Sequence, residues 1–490
     1  MSAAEFAANP LLALPFEPSI EGLGEAYWDG VEAAVFPQTR LRFRNDALLS
    51  QLGLDPAAVT DRDFEAAYGR FEARQPLLAL RYHGTQFGTY NPFLGDGRGF
   101  LYGQVRDIYG DLQDLGTKGS GTTPWSRGGD GRLTLKGGVR EIIASEALHR
   151  LGVTTSRTLS LVETGEELWR GDEPSPTRSA VMLRLARTHL RFGSCERLLY
   201  RREPQNLERL WRHAQATYYP HLGDGSGEES ALALYGELVE RVARLAAEWM
   251  VAGFTHGVLN TDNMSLAGES FDYGPFAFLD RWDLGFTAAY FDQTSLYAYG
   301  QQPRICHQNL RLLQEPLAML WPRQALEQRL ERFGPTYDAH FRARLMRRLG
   351  FELESQQVSA PDWLASAELP DLLLPTLQLL AAWPVAYGSF FAALERRIAT
   401  GGLPAEAEAL APFVEGAPEP PRQAWLTWRD GWWAWSQAWP QPQAIAETLA
   451  RWNLPVTPVR AEIERIWEAI DQRDDWSLLA QWLEQTRAPH

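Results

Sequence analysis

Apolar positions change their period along this chain. Before about residue 185 they fall in short runs that suit strands: Leu41-Arg42-Phe43-Arg44 alternates apolar with basic, and Phe100–Val105, Leu112–Thr117, Val153–Val162 and Ala180–Leu185 are runs of strand length. One helix interrupts them, predicted over Gly138–Leu151, with Val139, Ile142, Ile143, Ala147 and Leu151 on one side and Gly152 as its stop. Leu232–Gly253 is a long amphipathic helix carrying Leu234, Leu238, Val242, Leu245 and Trp249 at helical spacing. Beyond about 310 the chain is helical, and the tryptophans at 425, 428, 432, 433, 435 and 439 predict a helix packed on a core. The pattern predicts an α+β chain of three units: 1–185 with glycine-rich loops, 186–345 helical with a metal or catalytic loop, and 346–490 a helical extension packed on the second unit.

Between the early strands lie three glycine-rich turns: Leu94-Gly95-Asp96-Gly97-Arg98-Gly99, Gly116-Thr117-Lys118-Gly119-Ser120-Gly121 and Gly128-Gly129-Asp130-Gly131-Arg132. A glycine-rich turn between strands is most often a hairpin. Three within about forty residues, with embedded cations, point instead to phosphate, because glycine lets backbone N–H groups approach an anion closely. Lys118 supplies a compact cation. A kinase-like site pairs such a lysine with a helix glutamate. Glu141 and Glu146 both flank the apolar face of the 138–151 helix, so spacing does not choose between them, and at least one is expected to be a solvated surface carboxylate.

The long helix leads into His256-Gly257-Val258-Leu259-Asn260-Thr261-Asp262-Asn263-Met264, which reads as a polar loop running into an apolar strand. Phe271-Asp272-Tyr273-Gly274 follows, with Asp272 nine residues past Asn263. Kinase-type phosphotransferases hold metal with an Asn from a loop and an Asp from a D-F-G turn, and Asn263 and Asp272 fit that order. In the kinase template the base stands two residues after the histidine, where this chain has Val258. Valine accepts no proton, which makes Asp262 the substitute carboxylate. The simpler use of these Asx residues is to cap turns. Glycine-rich strands, one helix, a connector, a helical unit and then the metal loop is the order of parts in a protein kinase.

Composition narrows the partners. A net charge of −15 over 490 residues argues against nucleic acid. Two cysteines, Cys195 and Cys306, give no disulfide framework. Met1–Phe6 has neither a basic nor an apolar leader segment, and no apolar run reaches membrane-span length. The expectation is a soluble, cytoplasmic monomer that does not bind membranes.

The stretches Tyr82–Gly88, Leu94–Gly99, Lys118–Arg132, Arg140–Glu146, His189–Gly193, Tyr200–Pro204 and His256–Asp280 resemble the selenoprotein O family (SelO or YdiU), protein adenylyltransferases of pseudokinase fold. The resemblance implies a bilobal protein-kinase-like fold with a β-rich N-lobe, a helical C-lobe and additional C-terminal helices. It implies ATP bound end for end relative to a kinase, with AMP passed to Ser, Thr or Tyr hydroxyls of proteins and pyrophosphate leaving. Gly95, Gly97, Arg98, Lys118, Asp130, Gly131, Arg184, Arg191 and Asp272 would bind nucleotide. Glu141 would pair with Lys118, Asn263 and Asp272 would hold Mg²⁺ or Mn²⁺, and Asp262 would accept the proton. A silent pseudokinase scaffold and UMP transfer from UTP are the alternatives. Thr287–Asp292 is less polar than the family's usual run there. The ending Arg487-Ala488-Pro489-His490 has no counterpart of the selenocysteine of some eukaryotic members, so no C-terminal redox switch is expected.

Overall fold

A computed structural model describes residues 9–171, 173–223, 227–353 and 369–487. The readings made on Met1–Phe6 and on residues 488–490 lie outside the described residues. The chain is mixed α+β, with a sheet in its N-terminal part and helices after it.

The strands of the N-terminal part are β1 (Trp28–Val31), β2 (Arg40–Arg44), β3 (Leu77–Leu80), the hairpin β4 (Gly84–Gln86) and β5 (Thr89–Asn91), then β6 (Leu101–Arg106), β7 (Leu112–Lys118), β8 (Leu133–Thr134), β9 (Arg157–Leu168) and β10 (Thr177–Ala186). All but the β4–β5 hairpin join one antiparallel sheet of order β1-β3-β6-β7-β10-β9-β2, with β8 on β10. Both faces are covered, and the pleat sorts side chains between them. Val181, Leu183 and Leu185 enter a core with Phe64, Tyr68 and Tyr102. Ala180 and Met182 point the other way, into a core with Val139, Ile142 and Ile143 of helix α1 (Leu135–Arg150). Thr134 caps α1, its Oγ1 accepting from Gly137 N at 3.0 Å, and Gly152 in the left-handed region (φ +75°) follows its end.

The strand expected from Val153 begins instead at Arg157. Thr155 forms a bridge to Ser270, and Ser156 N donates to Ser270 O at 2.9 Å, so these backbone groups are committed elsewhere. The strand expected after Asn263 reduces to one bridge, Arg191 to Ser265.

The helical part comprises α2 (Phe192–Arg201), α3 (Pro204–Tyr218), α4 (Glu228–Ala252), α5 (Gln302–Leu317), α6 (Arg323–Leu330) and α7 (Phe333–Arg348). Leu234, Leu238, Val242, Leu245 and Trp249 of α4 are all buried, and Gly253 (φ +68°) ends the helix. Next come α8 (Leu373–Ala382), α9 (Tyr387–Gly401), α10 (Arg422–Ala438), α11 (Pro442–Trp452), α12 (Arg460–Arg473) and α13 (Ser477–Arg487). Trp425, Trp428, Trp432 and Trp435 on α10 fill a second core with Leu345 and Met346 of α7.

The boundary drawn at 345/346 falls inside α7, which runs through it. The last two helices reach the sheet side as well. Ile463, Ile466, Leu479 and Trp482 share the α1 core, and Asp474 pairs with Arg42 of β2 (3.0 Å) and Arg178 of β10 (2.8 Å). Among the described residues no single helix is long and apolar enough to cross a membrane.

Candidate active site

Sheet, α1 and the loop after α4 converge on one buried salt-bridge cluster. Lys118 ends β7, and its Nζ pairs with the Glu141 carboxylate of α1. The same Nζ lies 2.9 Å from Asp272 Oδ1. Arg184 of β10 sits across the ladder from Gly116, and its Nη1 is 3.4 Å from Asp272 and 3.7 Å from Glu141. Arg191 reaches Asp272 at 3.6 Å and Asp96 at 3.3 Å. Burial alone would raise the pKa of Asp272, but Lys118, then Arg184, Arg191 and Arg98, hold it well below the usual carboxylate range.

The structure settles which glutamate faces Lys118. Glu146, one turn further along α1, is buried and is taken by Arg157 at 2.8 Å and Arg487 at 2.9 Å. Neither glutamate is the solvated surface carboxylate expected, because each is buried and has a cationic partner.

Backbone geometry brings Asp272 forward. His256 is buried, and its Nε2–H donates to Phe271 O at 3.0 Å. The next residue, Asp272, takes the left-handed conformation (φ +66°). Asn263 Nδ2 donates to Val258 O at 3.0 Å. A carbonyl only accepts, so this contact identifies the amide nitrogen and leaves Asn263 Oδ1 without a hydrogen-bond partner among the described residues. Asn263 Oδ1 and Asp272 are hard oxygen donors of the kind that, with substrate phosphates, suit Mg²⁺ or Mn²⁺. Among the described residues no group of three His, Cys, Asp or Glu side chains forms a closed metal cage. Any cation here would complete its shell with phosphate oxygens and water.

Asp262 is buried, and burial pushes its carboxyl up to about 6 against the pull of Arg191. Asp262 and Asp272 thus face one cleft with their acidities driven apart, the arrangement that separates a proton acceptor from a permanent anion. The β4–β5 hairpin crosses over Asp262. Gln86 Nε2 donates to its carboxylate at 3.2 Å, and a Cβ on Gly84 would stand 2.7 Å from Asp262 Oδ1. Thr85 N donates to Thr261 Oγ1 at 2.7 Å, and Thr261 Oγ1 donates to Glu196 of α2 at 2.8 Å. Tyr297 Oη donates to Asn260 Oδ1 at 2.5 Å.

A cleft of about 740 Å³ is lined by Gly95, Gly97, Arg98, Lys118, Asp130, Gly131, Arg184, Arg191, Asp262, Asn263 and Asp272. Of the residues proposed from the sequence, only Glu141 lines instead the adjoining recess of about 490 Å³, which shares Lys118 and Arg98 with the cleft. Gly95 is explained by its own fold, since a Cβ there would lie 2.3 Å from the Trp125 ring. Asp130 is already paired with Arg170 at 2.8 Å and caps Arg132 N at 3.0 Å, so it shapes the loop. Gln86, Asp96, Asp114, His189 and Glu196 join the site without a role assigned from the sequence pattern. Asp96, set between two glycines, carried the one local signal.

A family model described as protein adenylyltransferase SelO matches residues 10–487. The chain belongs to the SelO family. Similar relatives are named protein nucleotidyltransferase YdiU. The one from Synechococcus elongatus is 53% identical over 482 residues, covering 97% of this chain and 96% of the relative. That of Gloeobacter violaceus is 52% identical over 484 residues, covering 98% and 97%. A Pseudomonas putida relative is 38% identical over 395 residues, covering 80% and 77%. SelO membership therefore spans both the sheet and the helical part, including every residue that lines the cleft.

Proposed function

We propose that this SelO member is a metal-dependent protein adenylyltransferase that transfers AMP from ATP to Ser, Thr or Tyr hydroxyls of proteins and releases pyrophosphate. On this reading the sheet part and the helical part are the two lobes of a protein-kinase-like fold. The observation that carries the proposal is the pairing of carboxylates in one cleft: Asp272 is kept ionised among Lys118, Arg184 and Arg191, while Asp262 is buried and proton-hungry.

The chain's own groups divide the work. Arg184, Arg191 and Lys118 bind the distal phosphates and take up the charge that develops on departing pyrophosphate. With those phosphates held deep, the α-phosphorus faces Asp262. The acceptor hydroxyl oxygen attacks it, its proton passes to an Asp262 carboxylate oxygen, and the bond from the α-phosphorus to the bridging oxygen breaks in line. Asn263 Oδ1 and Asp272 would hold a divalent cation, which supplies charge neutralisation of the phosphates. Val258, which lines the cleft at the kinase base position, favours a second reading, a silent nucleotide-binding scaffold.

The test is transfer of label to protein from ATP marked at either the α- or the γ-phosphate, with a mixture of acceptor proteins and Mg²⁺ or Mn²⁺. Label from the α position alone is expected, abolished by a chelator. Label from the γ position alone would make the protein a kinase, and ATP binding without label from either position, across acceptor mixtures, would make it a scaffold. Label from α-marked UTP in place of ATP would make the transferred group UMP.

A further inference from the structure

His189 lies between Arg184 and Arg191, which the proposed function uses, and itself has no part in that reading. It is buried beside the cleft. Its ring occupies a slot in the sheet, because a Cβ on Gly116 of β7 would stand 2.2 Å from His189 Nε2. In that slot the ring joins two charged groups. Arg184 Nε donates to His189 Nε2 at 3.2 Å, and His189 Nδ1 is 3.3 Å from Asp114 Oδ2.

The tautomer follows from the donors. A guanidinium N–H only donates, so Nε2 carries the lone pair and the proton sits on Nδ1, facing a carboxylate. Burial lowers the ring's pKa against the opposing pull of Asp114, which keeps the imidazole neutral. Asp114 is itself fixed: Oδ2 accepts from His189 N at 2.7 Å, Oδ1 accepts from Gln104 Nε2 at 2.7 Å, and Gln104 Oε1 accepts from Ile20 N at 2.6 Å. The chain of contacts runs from the sheet interior to the Nε edge of Arg184, whose Nη1 faces Asp272. A neutral acceptor suits this place. A carboxylate would orient Arg184 equally well but would neutralise the charge that phosphate needs.

We propose that His189, held by Asp114, is a positioning residue for nucleotide binding: it accepts the Arg184 Nε–H and so aims the two terminal nitrogens of the guanidinium at the distal phosphates. This rests on the reading that Arg184 binds those phosphates.

Affinities for ATP and for AMP, which lacks the distal phosphates, test it in Arg184→Met, His189→Gln, His189→Asn and His189→Phe. His189→Gln keeps an acceptor at the ε position for Arg184. His189→Asn keeps a donor for Asp114 but no acceptor for Arg184. The expected result is a loss of ATP affinity of about tenfold in His189→Asn and His189→Phe, a smaller loss in His189→Gln, and AMP affinity unchanged in all three. His189→Phe combined with Arg184→Met should be no weaker than Arg184→Met alone. If His189 only satisfies Asp114, Asn will outperform Gln, and the proposal fails. Unchanged ATP affinity in Arg184→Met would instead remove the phosphate reading of Arg184. Nitrogen-15 NMR of the wild-type protein gives an answer independent of variant folding: a protonated Nδ1 is expected, and a protonated Nε2 overturns the proposal.

Discussion

Lys118 Nζ lies 2.9 Å from Asp272 Oδ1, although 154 residues separate them in the chain. The contact joins the end of a sheet strand to the loop that follows α4. It also makes Asp272 the most crowded anion of the cleft, with Arg184 and Arg191 on its other sides. Replacing Asp272 by Ala should lower AMP transfer on the order of a hundredfold, since a charged oxygen ligand is lost from a site that offsets phosphate charge. Circular dichroism should show the fold retained. An Asp272→Ala protein with wild-type rate at saturating ATP and limiting Mg²⁺ would refute the assignment.

Lys118→Ala should weaken transfer by a similar factor, on the order of a hundredfold, and leave buried Glu141 with only the longer contact to Arg184. Lys118→Arg should not rescue it, because the planar fork does not fit where a compact ammonium bridges Glu141 and Asp272. Steady-state rates at several ATP concentrations check both variants. Near-normal kinetics in the arginine variant would show that charge alone suffices.

Gly84→Ala tests the hairpin over Asp262. The added methyl would stand 2.7 Å from Asp262 Oδ1 and 2.9 Å from Leu94 Cδ1. The carboxylate must shift, and kcat should fall about tenfold or more while ATP affinity stays close to wild type. The split between kcat and ATP affinity is the measurement. A fall in ATP affinity with kcat intact would place the hairpin's role in nucleotide binding.

Glu196 gives a pH prediction. Burial raises its carboxyl from 4.5 to about 7 in the folded protein. A group raised on folding is stabilising while protonated, so its contribution is full below the unfolded value and is lost as pH climbs through the folded one. Glu196→Gln removes that titration while keeping the side chain's size. Its melting temperature relative to wild type should therefore increase from about pH 5 to about pH 8. Thermal melts across that window decide it, and a pH-independent difference would mean that Glu196 titrates normally.

The residues that announced themselves in the sequence did so through local chemistry. Lys118 and Arg98 stand in glycine turns, Asn263 in an Asx-rich loop and Asp272 in an Asp-aromatic-Gly turn, and all four line the cleft. Glu141 was separable from Glu146 only by tertiary structure, because the choice depends on Arg157 and on Arg487, which is 341 residues away. Gln86 and Glu196 were invisible for a related reason. Each is a lone polar residue in an ordinary hairpin or helix, and its partner, Asp262 or Thr261, lies far along the chain. The sheet was legible from short apolar runs, but β9 began late because the backbone of Thr155 and Ser156 is taken up by Ser270.

The C-terminal helices fastened to the sheet have a mechanical consequence. Arg487 near the end of α13 grips Glu146, and α12 and α13 pack along α1, one turn away from where Glu141 meets Lys118. A phosphotransferase that is turned on by swinging a helix needs that helix free to travel. Here α12 and α13 brace it, so the lysine–glutamate pair is held in place from within the chain.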